Sequence, residues 1–423
     1  MKVLVVGGGG REHAIVWKLK ENPEIEKIFC APGNAGIAQI AECVNIKATD
    51  IVNMVKFAKE NSVDFTVIGP DDPLSMGIVD SFKAAGLEVF GPNKAAAIIE
   101  YSKAYSKELM KKYGIPTAAY ETFNNFENAV KYIKQTKHPL FIKADGLALG
   151  KGAVYCENEG ESEKTLREMM IEKNFGSSGE TVVIEEFMTG PEVTVLAFSD
   201  GKTIKPMVSS QDHKRVYDND MGLNTGGMGA FSPSRFYTED IAKVCEEKIF
   251  KPTAEALIKE GRPFTGIIYF GLMLTPDGPK VIEYNSRFGD PETQAVLPRL
   301  DTDLLSIFKA CVNQTLGTVD IKWKKSAAAC VVLASGGYPE KYETGFEIKG
   351  LENLENKENL YVFHAGTSLA NGKTVTNGGR VLGIAAQGEN LDSAVKRAYE
   401  GAGLVSFEGM HYRTDIGKLK PAQ

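Results

Sequence analysis

Four apolar runs in the first hundred residues each end in a glycine- or proline-rich turn: VVGGGG, CAPGN, IGPDD and FGPN. The runs cover residues 2–6, 27–31, 65–68 and 88–90, and helical patterns at 12–21, 51–60 and 73–85 fall between them. Alternation of this kind predicts a parallel, doubly wound sheet whose strand ends form a binding crevice. Little else in the chain restricts its fold as strongly.

The rest of the 423 residues holds two further regions, with boundaries expected near 100 and near 325. The first opens with one helical run, residues 94–114, stopped by Gly114 and Pro116. Strands are expected at 140–143, 154–156, 182–186, 192–198, 266–274 and 280–285, and helices at 161–172 and 239–260. Residues 209–229, SSQDHKRVYDNDMGLNTGGMG, read as a long polar loop, and loops of that length are usually functional or disordered. In the last hundred residues, strands at 327–334, 362–364 and 381–385 precede a helix at 391–401, a mixed α+β pattern.

The formal net charge is −6 and no long Lys/Arg run occurs, which argues against nucleic acid and anionic membranes as partners. Six scattered cysteines form no CxxC and fit a reducing cytoplasm. Met1-Lys2 leads directly into a strand rather than a signal peptide. The longest apolar run, 327–334, is far too short to span a bilayer.

Three motifs carry chemistry. GGGGREH, residues 7–13, places glycines between a strand and a helix, where bare N–H groups and the helix dipole suit a phosphate. A dinucleotide fingerprint needs glycine where Glu12 stands, and the second strand ends without the acid that holds a ribose, so NAD is disfavoured. IKADGLALGKGA, residues 142–153, sets Lys143 at a strand end and Lys151 among glycines. It is not a Walker loop, but such a hairpin can fold over a triphosphate; a solvated surface hairpin is the plainer alternative. In VIEYNSRFGDPETQ, residues 281–294, Glu283, Asn285 and Arg287 alternate with apolar positions, so a strand would point all three to one face.

Taken in order, the Lys143 strand, the glycine–lysine hairpin, the acidic VIEEFMTGPE segment and the Glu-x-Asn-x-Arg strand resemble the ATP-grasp ligases. GGREHA, KADGLALGKG, QDHKR, NTGGMG and RFGDPETQ are similar to the glycinamide ribonucleotide synthetase family, and VFHAGT and VTNGGRVLG resemble its C-terminal domain. The resemblance implies a Rossmann-like domain over 1–100, an ATP-grasp domain over 101–325 with a mobile lid near 120–190, and a C-terminal domain over 326–423. It implies ATP-dependent joining of glycine to 5-phosphoribosylamine through glycyl phosphate, in purine synthesis. Glu283 and Asn285 would hold Mg²⁺ or Mn²⁺. Lys103, Lys143, Gly150, Lys151 and Gly152 would meet the ATP phosphates, Glu185, Glu186, Phe187 and Met188 the adenine, and Glu192 the ribose. Asp212 would meet the glycine amine. Gly9, Gly10, Arg11, Glu12, Asn34 and Asp71 would form the phosphoribosylamine pocket, and Arg287 and Lys151 would stabilise transferring charge. A monomer or weak homodimer is expected.

Several positions depart from the family pattern: Asp71 replaces Glu, Leu149 a small residue, Tyr101 a Gly or Ser, Pro191 an acid and Leu223 a proline. They leave room for a different amine acceptor. A nucleotide-binding protein without turnover is the remaining alternative, and the intact Glu283-Asn285-Arg287 set argues against it.

Overall fold

The computed structural model describes residues 1–147, 152–355 and 357–418. The N-terminal sheet comprises β1 (Lys2–Gly7), β2 (Lys27–Pro32), β3 (Glu42–Cys43), β4 (Phe65–Ile68) and β5 (Val89–Phe90), all parallel, in the order β3-β2-β1-β4-β5. Val3 and Val5 enter one core and Leu4 and Val6 another, so both faces are covered. The strand order reverses at β1 and β4, which places the crevice beyond Gly7 and Ile68. The helix expected at 73–85 is instead two, Asp71–Met76 and Ile78–Ala84, broken at Gly77 with φ +92°. The earlier start puts Asp71 at the crevice.

The run expected to be one helix over 94–114 also divides, into Lys94–Tyr101 and Lys103–Tyr113. Ser102 is extended and its Oγ accepts the Tyr105 N–H, so a capping bond competes with helix continuation. The Asp145 carboxylate accepts from Ser102 Oγ at 3.2 Å and from the Ala104 N–H at 3.0 Å. The break makes Lys103 the first residue of the second helix.

A small antiparallel sheet follows, from β6 (Tyr120–Phe123), β7 (Leu140–Ala144), β8 (Ala153–Cys156) and β9 (Val182–Glu186), ordered β6-β9-β7-β8. Helices Phe126–Ile133 and Glu159–Leu166 share its core. Beyond it run β10 (Glu192–Asp200), β11 (Ile204–Pro206), β12 (Gln211–Asp212), β13 (Arg215–Tyr217), β14 (Met221–Asn224), β15 (Gly229–Ser232), β16 (Thr265–Thr275) and β17 (Gly278–Asn285). Strands β11, β10, β16 and β17 make one antiparallel sheet. The last strands are β18 (Ala327–Ala334), β19 (Leu360–His364), β20 (Thr367–Ala370), β21 (Lys373–Thr376) and β22 (Arg380–Gly388). The C-terminal sheet reads β12-β15-β18-β22-β19, so it recruits β12 from the stretch expected to be a loop and β15 from the residues that begin at its end. Strands of two and four residues owe their existence to distant partners, which local pattern does not show.

Helix Gly10–Leu19 packs on β19. Trp17 meets Tyr361 edge-on at 4.9 Å, and the His364 N–H donates to His13 Nδ1 at 2.8 Å. Both histidines are buried. Burial, reinforced by the neighbouring His364 ring, depresses the His13 pKa to about 3, and burial depresses His364 to about 4. The unfolded chain therefore binds more protons than the folded one between these values and about 6.5, and stability present above that range is lost on acidification. Lowering pH from 7 to 5 is expected to remove on the order of 4 kcal/mol through this pair. Melting curves across that range check it: His13→Gln, which keeps an acceptor, is expected to halve the loss roughly, and an unchanged loss would disprove the assignment.

All six cysteines are free. Among the described residues no helix is long and apolar enough to cross a membrane.

Candidate active site

Strand β17 alternates as the sequence suggests, but with a bulge. Gly271 of β16 faces Glu283 while Leu272 faces Val281, so Ile282 is the extra residue. Val281 and Tyr284 enter the core, whereas Glu283 and Asn285 stay partly open on the other side. Arg287 lies just past the strand end. The bulge turns the Ile282 carbonyl toward Lys143, whose Nζ lies 3.5 Å away.

Cations from separate elements surround Glu283. Lys214 approaches its carboxylate to 4.0 Å from the segment after β12, Lys143 comes from β7, Lys103 from the helix N-terminus, and Arg287 from the loop beyond β17. Burial alone would raise the Glu283 pKa, but Lys214, Lys143, Lys103 and Arg287 outweigh it and hold the carboxyl below its usual range. Burial lowers the Lys103 pKa against the pull of Glu283, and its Nζ donates to Gly146 O at 3.0 Å. Lys214 also donates to Glu192 Oε2 at 2.8 Å, which fixes Glu192 at the same rim.

Asp212 on β12 adjoins this group. Burial pushes its pKa up to about 7, against Lys214 and with Glu292, Glu192 and Glu283 adding to it. Burial likewise raises Glu292, which accepts the Tyr269 hydroxyl at 2.9 Å. Glu292 escaped the sequence reading. Its place in RFGDPETQ was visible, but the approach of that turn to β12 was not.

Arg287 points toward the N-terminal crevice. Its Nη2 lies 2.9 Å from Glu100 Oε1 and 4.0 Å from Asp71 Oδ2, and its Nε is buried with no hydrogen-bond partner among the described residues. Burial opposes ionisation of Asp71, yet Arg287 and Arg11 hold its carboxyl below the usual range. Arg11 therefore shares a region with Asp71 and Arg287, although its own Nε and Nη1 bond to Glu12 Oε1 at 2.6 Å and Phe288 O at 3.1 Å.

Some side chains named for ligands are engaged within the chain. Glu12 is buried and accepts the Gly9 N–H at 2.7 Å. A Cβ on Gly69 would come within 2.2 Å of its carboxylate, so Glu12 fills the space under the glycine turn, and Gly9 and Gly10 begin the helix above it. Asn34 donates to Gly8 O and His364 O and accepts the Gly36 and Ile37 N–H groups, tying the crevice to the C-terminal sheet. The Glu185 carboxylate bonds to Lys143, and Glu186 accepts the Ala119 N–H at 2.9 Å. Phe187 and Met188 follow the end of β9, with Phe187 partly exposed against Phe141 and Tyr155. Gly152 caps the hairpin by accepting the Ala144 N–H, while Gly150, Lys151 and Leu149 lie outside the described residues.

Arg380 is a further residue the sequence reading missed. Its Nη1 donates to Gly226 O and Asp290 O, both at 2.7 Å, so the C-terminal sheet clamps the NTGGMG and RFGDP turns together. Buried Arg413 pairs with Asp220 and Asp415 and serves the fold.

A carboxylate strand ringed by lysines, one of them carried on a separate small sheet, is the arrangement of an ATP-grasp ligase. Residues 1–100, 101–293 and 328–419 match the models of the N domain, the ATP-grasp (A) domain and the C domain of phosphoribosylglycinamide synthetase. The chain belongs to that family. It is 49% identical to a phosphoribosylamine–glycine ligase of Caldanaerobacter subterraneus subsp. tengcongensis, covering 98% of this chain and 99% of the relative. It is 47% identical to the Clostridium acetobutylicum enzyme of the same name, covering 99% and 100%. The crystal structure of phosphoribosylamine–glycine ligase from Thermotoga maritima superposes with a TM-score of 0.84 at 35% identity, covering 99% of this chain and 100% of that one. The biotin carboxylase domain of Hydrogenobacter thermophilus 2-oxoglutarate carboxylase, solved with MgADP, shares the fold at 15% identity and a TM-score of 0.78, over 97% and 91% of the two chains.

Proposed function

We propose that this chain joins glycine to 5-phosphoribosylamine at the expense of ATP, giving glycinamide ribonucleotide, ADP and phosphate. The carrying observation is the convergence of Lys103, Lys143, Lys214 and Arg287 on Glu283. A carboxylate cannot lose oxide to an amine, so the glycine oxygen first attacks the γ-phosphorus and ADP leaves. The amine then attacks the glycyl carbon, a C–N bond forms, the C–O bond to phosphate breaks, and the amine gives up a proton.

The side chains position and neutralise rather than react covalently. Lys103 and Lys143 face the polyphosphate, and the buried free Nε of Arg287 offers a donor to the transferring phosphoryl group. Asp212, with Glu292 beside it, makes an acidic recess for the glycine ammonium. Glu192 is set for the ribose, and the backbone at Phe187 and Met188 for the adenine edge. Arg11 and Asp71 face the phosphoribosylamine.

Glu283, held ionised and partly open, and the amide of Asn285 suit a hard divalent ion. Mg²⁺ or Mn²⁺ prefers hard oxygen donors and few protein ligands, and these two residues would hold it. Such an ion would supply charge neutralisation at the phosphates. A monomer or weak homodimer is part of the same proposal. Six free thiols fit the cytoplasm. The domain division near 100 and 325, with a lid over 120–190, is part of the same proposal.

An ADP-release assay with each substrate omitted in turn tests the reading. Full release is expected only with glycine and the amine together. Release of AMP, or equal turnover without glycine, would reject it.

A further inference from the structure

Lys107 belongs to none of the groups assigned above, yet only 2% of it is exposed. It lies one helical turn after Lys103, on the same face of helix Lys103–Tyr113. Its Nζ sits 2.9 Å from Glu185 Oε2 and donates to Thr117 Oγ1 at 2.8 Å. Thr117 in turn donates to the Val281 carbonyl of β17 at 2.7 Å. Glu185 is itself only 3% exposed, and its carboxylate also holds the Lys143 ammonium, 2.9 Å from either oxygen. The pairing of Phe141 with Glu185 and of Lys143 with Val183 puts Glu185 and Lys143 diagonally on one face of the small sheet.

One buried carboxylate is thus shared by two ammonium groups, one from the small sheet and one from the helix. Sharing matters for charge. A Glu185 paired with Lys143 alone would form a closed neutral pair and withdraw Lys143 from any phosphate. With Lys107 also at Oε2, Glu185 is already compensated, and the trio keeps a net positive charge at the end of β7. Burial acts on Glu185 against ionisation, but Lys143 and Lys107 overcome it and keep its pKa below the usual range. The same three groups join the small sheet to β17 across their boundary.

We infer that Lys107 is a positioning residue for nucleotide binding: by sharing Glu185 it leaves the Lys143 charge available to the phosphates and sets the small sheet against β17. This rests on the reading of the site as an ATP site. The test is calorimetric titration of ATP at fixed Mg²⁺, without glycine or amine, together with melting curves.

Lys107→Met is expected to weaken ATP binding roughly tenfold or more, because Glu185 closes on Lys143. The double variant Lys107→Met/Glu185→Gln releases Lys143 and is expected to bind within about threefold of wild type. A packing role alone would leave the double variant no better than the single one. The inference is overturned if Lys107→Met binds ATP like wild type, or if the double variant stays as weak as the single. If Lys107→Met does not fold, the double variant, which buries no lone carboxylate, decides alone by the same comparison with wild type. Wild-type protein that fails to bind ATP would instead reject the proposed function.

Discussion

Glu283→Ala is expected to lower turnover by about 10³-fold or more, with the melting temperature nearly unchanged. The carboxylate faces Lys214, Lys143, Lys103 and Arg287, and nothing else on β17 can take its charge. Removing it deletes the proposed anionic donor for a divalent ion. The side chain is 38% exposed, so its loss opens no core cavity. Raising Mg²⁺ should recover little activity, since Asn285 remains as a single neutral donor. Steady-state rates with a melting curve decide the matter, and a fully active variant would refute the placement.

Arg287→Met carries the second large effect, on both rate and stability. The guanidinium pairs with Glu100, which is buried and accepts the Ser286 N–H and hydroxyl at 2.8 and 2.7 Å. Loss of the cation strands that carboxylate, at an expected cost of about 3 kcal/mol. Turnover is expected to fall about 10²- to 10³-fold, the scale for removing a donor aimed at developing charge. The two effects separate in the double variant Arg287→Met/Glu100→Gln, which should regain most of the stability and none of the rate. Recovery of rate along with stability would mean that Arg287 serves only the fold.

Much of this architecture is legible in the sequence. Glycine and proline at the ends of apolar runs mark a parallel sheet because they punctuate each strand, and the sheet follows. The alternation of Glu283 and Asn285 with Tyr284 survives as read, because period two is a property of any strand. What stayed hidden depends on pairing. The bulge at Ile282 is set by register against β16, and β12 and β15, which join the C-terminal sheet, are too short to announce themselves. The family resemblance implies Glu185 as part of an adenine hinge, and an acid at a strand end otherwise looks exposed. Its lysine partners come from β7 and a helix, which no local pattern connects. Glu12 accepts the Gly9 N–H and Asn34 donates to the Gly8 carbonyl, contacts around the glycine turn that no local pattern shows.

In the proposed function, one carboxylate, encircled by cations from separate elements, takes the metal that accompanies the nucleotide. Electron paramagnetic resonance of Mn²⁺, titrated with and without a non-hydrolysable ATP analogue, measures this directly. The account predicts tight Mn²⁺ binding by wild-type protein only when the analogue is present, and its loss in Glu283→Gln. Undiminished Mn²⁺ binding by Glu283→Gln in the presence of the analogue would contradict it.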